Sequence, residues 1–336
     1  MSLKAIYTTL LTTALASFLI TDMNAQCETW TGNANKDELE NTHIFYKDAL
    51  SAEKYAEAYP LWEKVYKAAP AADGKRASHY YDGRVLISNL YADASEAEQG
   101  EMAKTFLRLY EEEYACYPKD KRGNDKKGYL VEDQAFEMYY TLNSNPDEVL
   151  ALLKQAEELN GKELGYIVFY PYADLIVTAY LEDKATADEC RRVHALLNEV
   201  AKHKIATDKD YGPYYEEELT NANDRFEEVA DNIFGCDYHV VKLRPEYDAN
   251  PNDKETYTRV YNQLKEKGCT ASEPLMNEIY AKIKKDNAAL AAAKAADIAA
   301  QKQEFLEGNP AYVAIKAYQA KNYDEAITKF NDAINA

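Results

Sequence analysis

The segment Tyr55-Ala56-Glu57-Ala58-Tyr59-Pro60-Leu61-Trp62-Glu63-Lys64-Val65 decides how this chain folds. Tyr55, Ala58, Trp62 and Val65 recur at helical intervals, so all four share one face of a helix. The alanine lets a second helix come close, and the indole one turn later covers the same face. The spacing returns near the other end of the chain as Tyr323, Ala326, Phe330 and Ala333, with a glutamate before the alanine in both copies, Glu57 and Glu325. One spacing shared by two distant segments is the mark of an internal repeat.

Phe45, Tyr46 and Ala49 precede the first copy, and Val313, Ala314 and Ala317 precede the second, where a partner helix belongs. Pro70 closes the first copy. These offsets resemble the tetratricopeptide repeat (TPR), a helical hairpin unit. The run from Tyr247 to Asp253 resembles the turn between consecutive TPR units, and Tyr257, Val260, Tyr261 and Leu264 fit the first helix of the next. Two features depart from the pattern. Pro60 lies inside the second helix of the first copy, where it removes a hydrogen bond and is expected to bend the helix. The second copy reaches Ala336 before any closing proline or capping helix.

The rest of the chain agrees with an all-α fold. Helix-forming residues dominate, Gly (12) and Pro (10) are sparse, and apolar positions recur at three- and four-residue intervals. The periodicity predicts helices over 36–52, 54–69, 77–94, 96–116, 130–142, 147–160, 163–182, 186–204, 213–235, 238–248, 253–267, 274–306, 311–319 and 323–335. Between residues 77 and 235 the likeness to TPR is one of architecture alone, and degenerate hairpins are expected there. The resemblance implies a right-handed superhelix of antiparallel helical hairpins, a TPR-like α-solenoid, over 26–270. A long connecting helix over 271–308 and an incomplete C-terminal TPR unit over 309–336 follow. Leu275, Ile279, Ile283, Leu290, Ile298 and Phe305 form only a thin stripe on that long helix, which fits either a linker or an edge helix packed along the body. Ile327, Phe330 and Ile334 lack a covering helix, so further repeats, a second copy or another protein are expected to cover them.

Lys4, an uncharged stretch to Ile20 and then Asp22-Met23-Asn24-Ala25 have the plan of a secretory signal peptide over 1–25. The stretch is shorter than the roughly 20 apolar residues that span a bilayer. No transmembrane segment is expected after cleavage at Ala25, and Gln26 is too large for the residue that precedes a lipidated Cys27. The ending resembles leaders of Gram-negative envelope proteins, so an exported, periplasmic or cell-envelope protein is expected. A net charge of −19 opposes nucleic acid. The basic cluster Lys119, Lys121, Arg122, Lys126 and Lys127 sits among turn residues with no interleaved aromatic, as a solvated loop does.

Export also permits disulfides, and of five cysteines at least one stays unpaired. Cys236 opens one predicted helix and Cys269 closes the next, so in an antiparallel hairpin they lie side by side. Their loop of roughly 32 residues would stabilise by about 3 to 4 kcal/mol. Cys27 with Cys116 is the second pairing considered, and Cys190 reads as a small buried hydrophobe. Cys190 and His194 stand one turn apart beside Glu189, yet a zinc site needs more ligands. Cys236 and His239 also share a turn, but the disulfide accounts for the cysteine. Asp208, Asp210 and Gly212, and again Asp248, Asn250 and Asn252, imitate the start of a calcium loop. The glycine is misplaced in the first, and Asp253 and Arg259 stand in the wrong places in the second. No metal, cofactor or catalytic group is expected.

Tyrosine is the unusual component, with 29 copies. Two readings stand: tyrosines fill hairpin cores with their hydroxyls at the wet edge, or some line a groove. The groove reading assigns Tyr139, Tyr140, Tyr166, Tyr170, Tyr214 and Tyr215 to an acidic concave face that grips protein or peptide segments. The expected function is a non-catalytic interaction scaffold or assembly factor. The alternative is an all-helical protein that binds or cleaves glycans.

Overall fold

A computed structural model of the chain describes residues 27–335. The leader expected over 1–25 lies outside them. Among the described residues the regular structure is helical, with fifteen α-helices, four short 3-10 turns and a single isolated antiparallel bridge between Lys119 and Asp125. No helix there is long and apolar enough to cross a membrane. The chain divides into two compact units, the first ending at Ile233 and the second beginning at Phe234.

The first unit opens with α1 (Lys36–Ser51) and α2 (Tyr55–Ala68), which pack against each other across a three-residue link. So short a link between packed helices reverses the chain. Glu53 takes a left-handed conformation (φ 56°) there, the Glu53 amide donates to Leu50 O, and the Lys54 amide reaches back to Ala49 O at 2.9 Å. Glycine normally fills this helix-ending position. Pro60 lies within α2 on its solvent side, and the helix runs on through it.

Ala58 and Trp62 are fully buried. The helix α3 (Ser78–Leu90) covers them, and Trp62 Nε1 donates to the His79 carbonyl at 2.9 Å. Gly83 of α3 lies directly beneath the indole. A Cβ added there would stand 2.2 Å from Trp62 Cζ2. The arm before α1 is tied down as well: the Trp30 amide donates to Ala72 O, Ala71 donates to Glu28 O, and the Trp30 ring packs on Leu39, Val65 and Ala69. Cys27 is bonded to Cys116, their Cα atoms 5.5 Å apart.

From there each helix packs on the next: α4 (Glu96–Cys116), α5 (Lys127–Tyr140), α6 (Pro146–Asn160), α7 (Phe169–Leu181), α8 (Ala187–Thr207) and α9 (Gly212–Glu227), with a last short turn α10 (Ala230–Ile233). In addition α9 packs on α7. The helix expected from residue 163 starts only at Phe169, because Gly161 adopts positive φ and two 3-10 turns intervene. The helix expected over 213–235 breaks after Glu227.

Many tyrosines staple one helix to another through a carboxylate. Tyr46 donates to Asp82, Tyr66 to Glu112, Tyr110 to Asp133 and Tyr139 to Asp174, each at 2.6 to 2.9 Å. Tyr172 does the same with Glu157. A buried phenol needs an acceptor, and a helix surface supplies one most readily as Asp or Glu. High tyrosine and high acid content are therefore partly one structural fact.

The second unit joins α11 (Cys236–Ala249), α12 (Lys254–Glu266) and the start of α13 (Pro274–Gly308) around Tyr247, Tyr257, Val260, Leu264 and Ile279. Cys236 and Cys269 are bonded within it, Cα atoms 5.3 Å apart. That shared core is why the break between units falls at Ile233 and not near residue 270. Beyond its first three turns α13 is solvated: residues 287–305 are exposed on every side. Alanine and lysine sustain such a helix by intrinsic propensity, since its length far exceeds the roughly 12–15 residues at which isolated helices become marginal. Asn309 caps α14 (Pro310–Gln319), accepting from the Ala311 and Tyr312 amides. The pair α14 and α15 (Tyr323–Asn335) closes over Ala314, Ala317 and Ala326.

The turn between these helices repeats the first one. Lys321 has φ 63° and the Asn322 amide donates to Ala317 O at 2.9 Å, the same offsets from Tyr323 that Glu53 and Ala49 have from Tyr55. Phe330 is 39% exposed where Trp62 is fully buried, and Ile334 is 79% exposed. A covering helix such as α3 has no counterpart there among the described residues.

Three substitutions test these contacts by urea unfolding. Gly83→Ala is expected to destabilise the first unit by about 2 kcal/mol or more through overpacking against Trp62, and an unchanged midpoint would refute the close contact. Glu53→Gly and Lys321→Gly are each expected to stabilise by about 0.5–1 kcal/mol, because glycine relieves the left-handed strain; a loss of stability would mean that the turns are not left-handed.

Candidate functional site

Two polar clusters stand out in the first unit. One is closed to solvent, between α1, α2 and α3. Tyr46 gives its hydroxyl proton to Asp82 Oδ2, so the Tyr46 oxygen accepts from His79 Nδ1 at 2.9 Å, and Lys47 Nζ holds Asp82 at 2.8 Å. His79 Nε2 is then a bare lone pair, buried without a partner. Burial holds the His79 pKa down to about 3 and lowers that of His43, whose ring lies 5.8 Å away. Nearby, the Arg84 guanidinium donates to Glu113 at 2.7 Å and lies 4.2 Å from the Tyr110 ring centre. An aspartate, a phenol and an imidazole in sequence have the order of a proton relay, but His79 is sealed among Trp62, Tyr66 and His43. The cluster joins α1 to α3.

The other cluster is open. It gathers the tyrosines singled out in the sequence from the end of α5, the turn before α7, the start of α7, and α9. Glu132 of α5 accepts from the Gly165 amide at 3.0 Å and from Asn160, which fixes the turn carrying Tyr166. Tyr215 lies beneath that turn, buried, its hydroxyl donating to Leu164 O at 3.1 Å. Tyr215 therefore supports the surface instead of lining it. Above it the rings of Tyr166 and Tyr214 stack at 5.4 Å, with Tyr211 6.3 Å from each. Tyr211 and Tyr214 are 53% and 51% exposed.

Farther along α9, Tyr140 and Tyr170 face Glu218, Asn221 and Asp224 across a cleft of about 360 Å³. Tyr140 is 48% exposed. Burial, and then the Glu218 charge, push its hydroxyl up to about 12. Burial also raises Glu218. Tyr139 supports the two rings: it contacts Tyr140 and Tyr170 and donates to Asp174, whose second oxygen accepts Arg225 Nε at 2.8 Å. Three helices, α5, α7 and α9, are thereby locked together below the cleft. Glu218, Asn221 and Asp224 carry no mark in so acidic a sequence. Their one signal is spacing, since Tyr211, Tyr214, Glu218 and Asn221 follow at helical intervals.

Other sites weighed in the sequence resolve structurally. Cys190 is buried with its thiol on Ile176 O, and burial pushes it up to about 11, while His194 packs edge-on to Phe226. Asp208 caps its own turn through the Asp210 and Tyr211 amides, and Asp253 caps α12 through Thr256. Among the described residues no group of three His, Cys, Asp or Glu is arranged to hold a metal ion. Compared with family models, with curated proteins and with solved structures, the chain matches none.

The buried histidines predict a pH dependence. An unfolded histidine takes up its proton near pH 6.5, whereas folded His79 resists until about 3. The His79 contribution to stability is full above about 6.5 and is lost as pH falls below it, by up to about 1.4 kcal/mol per unit. Glu112, Glu132 and Asp133, raised by burial, work in the opposite sense. Comparing His79→Asn with the parent isolates the histidine. The parent is expected to lose more melting temperature between pH 7 and 5 than the variant, and parallel curves would rule the mechanism out.

Proposed function

We propose that this chain is a non-catalytic scaffold of TPR-like hairpins, stacked as a right-handed α-solenoid, that binds partner segments in the cell envelope of a Gram-negative bacterium. The observation that carries the reading is the open surface on α5, α7 and α9, where half-exposed tyrosines stand beside the carboxylates of Glu218 and Asp224. Rigid aromatic faces with polar tips contribute much of the binding energy in protein recognition, at low entropic cost. Support for the repeat reading comes from neighbour-on-neighbour helix packing and from the matching turns at Glu53 and Lys321. The two bonded cysteine pairs suit an oxidising, exported setting. The acidic balance disfavours nucleic acid as a partner.

The stacked rings of Tyr166, Tyr211 and Tyr214 favour one further reading, because exposed ring faces also stack on sugars. Binding to a panel of envelope polysaccharides separates it from the first. For the scaffold, a photo-crosslinker at Tyr211 in the exported protein is expected to trap a discrete protein adduct, and Tyr166→Ala with Tyr214→Ala is expected to reduce it at least about tenfold. Recovery of no adduct, together with saturable binding of a polysaccharide, would overturn the proposal in favour of glycan recognition.

A further inference from the structure

The cleft beside the stacked tyrosines has an uncommon lining. It is lined by Tyr140 and Tyr170 together with Glu218, Asn221 and Asp224. Neither carboxylate is in an ion pair among the described residues, and Arg225 on the same helix is already held by Asp174 and Glu228. Glu218 is half-buried, so it has given up part of its hydration with no cation in return. An apolar occupant would strip both carboxylates of water without compensation, and an anionic one would be repelled. A cation gains from the carboxylates and from the electron-rich ring faces together.

We infer that this cleft receives the charged end of an arginine or lysine side chain presented by a partner segment. The inference rests on the groove reading above and names what that groove selects. A segment and not a free cation is indicated by continuity: Tyr214 of the stacked group and Glu218 of the cleft stand one turn apart on α9. A chain whose basic side chain enters the cleft therefore lays its neighbouring residues on Tyr166 and Tyr214. A volume of about 360 Å³ accommodates a guanidinium with its methylene stem.

The test uses short fluorescein-labelled peptides of one Gly/Ser/Trp background carrying central arginine, lysine or citrulline, titrated against the whole chain. The arginine and lysine peptides are expected to bind at least about tenfold tighter than citrulline, which keeps the shape of arginine and loses its charge. Glu218→Gln with Asp224→Asn is expected to erase that difference. The control pair Glu255→Gln with Glu266→Gln removes the same charge on α12 of the other unit and is expected to change binding less than about twofold. Equal binding of citrulline and arginine would overturn the inference, as would equal weakening by the control pair, which would reduce it to a general attraction of the acidic chain.

The two readings fail separately. If the citrulline peptide binds as well as the others and is lost on Tyr214→Ala, the groove stands and its cation selectivity falls. If cationic peptides need Glu218 and Asp224 but no envelope partner can be crosslinked, the cleft stands and the scaffold role falls. Failure of every peptide to bind overturns the inference outright, whatever the crosslinking finds.

Discussion

The contact on which the rest of this chain depends is the close approach of two paired helices at a small residue, with a large ring laid over the same face a turn later. Ala58 leaves the room and Trp62 fills it, and α3 completes the enclosure with Gly83 under the indole. Burying a side chain of that size removes more apolar surface from water than any other single residue of the hairpin can offer. Most helices meet this demand through their neighbours in sequence, and α9 packs on α7 as well. Faces not used for neighbour packing remain free, and the surface on α5, α7 and α9 is one of them.

Polar groups inside the hairpins follow from the same demand. A tyrosine supplies apolar area but brings a hydroxyl, and here that hydroxyl finds a carboxylate on an adjoining helix at Asp82, Glu112, Asp133 and Asp174. A buried carboxylate then needs more donors, which Lys47 and Arg225 provide at Asp82 and Asp174. Networks of this kind add little net stability when complete and cost much when broken. Their worth here lies in register: a helix that slid by one residue would part every tyrosine from its acceptor. The open cleft differs from these staples in one respect, because its two carboxylates have no such cation.

Two segments with one spacing show how context changes a pattern. Tyr55 to Val65 and Tyr323 to Ala333 share spacing, preceding turn and capping hydrogen bonds. Yet Trp62 is sealed while Phe330 stays partly exposed. Local sequence makes the hairpin, and what packs on it decides whether its ring is core or surface. Along residues 287–305 of α13 propensity acts nearly alone, since they stay exposed and remain helical.

By itself the sequence determined the helical class, nearly every helix and the pairing logic of Cys236 with Cys269, because periodicity, capping and spacing are local properties. It also marked the tyrosines of the candidate surface, although not their roles. Only tertiary structure decided that Tyr215 is a buried support while Tyr140 and Tyr214 reach solvent, and that Glu218 and Asp224 face Tyr140 and Tyr170. It likewise set the late start of α7, where Glu132, from a different helix, holds the Gly165 turn, and the break between units at Ile233. The physical reason is common to these cases: exposure, acceptor choice and domain division depend on which helices meet, and residues far apart in the chain carry no local record of that meeting.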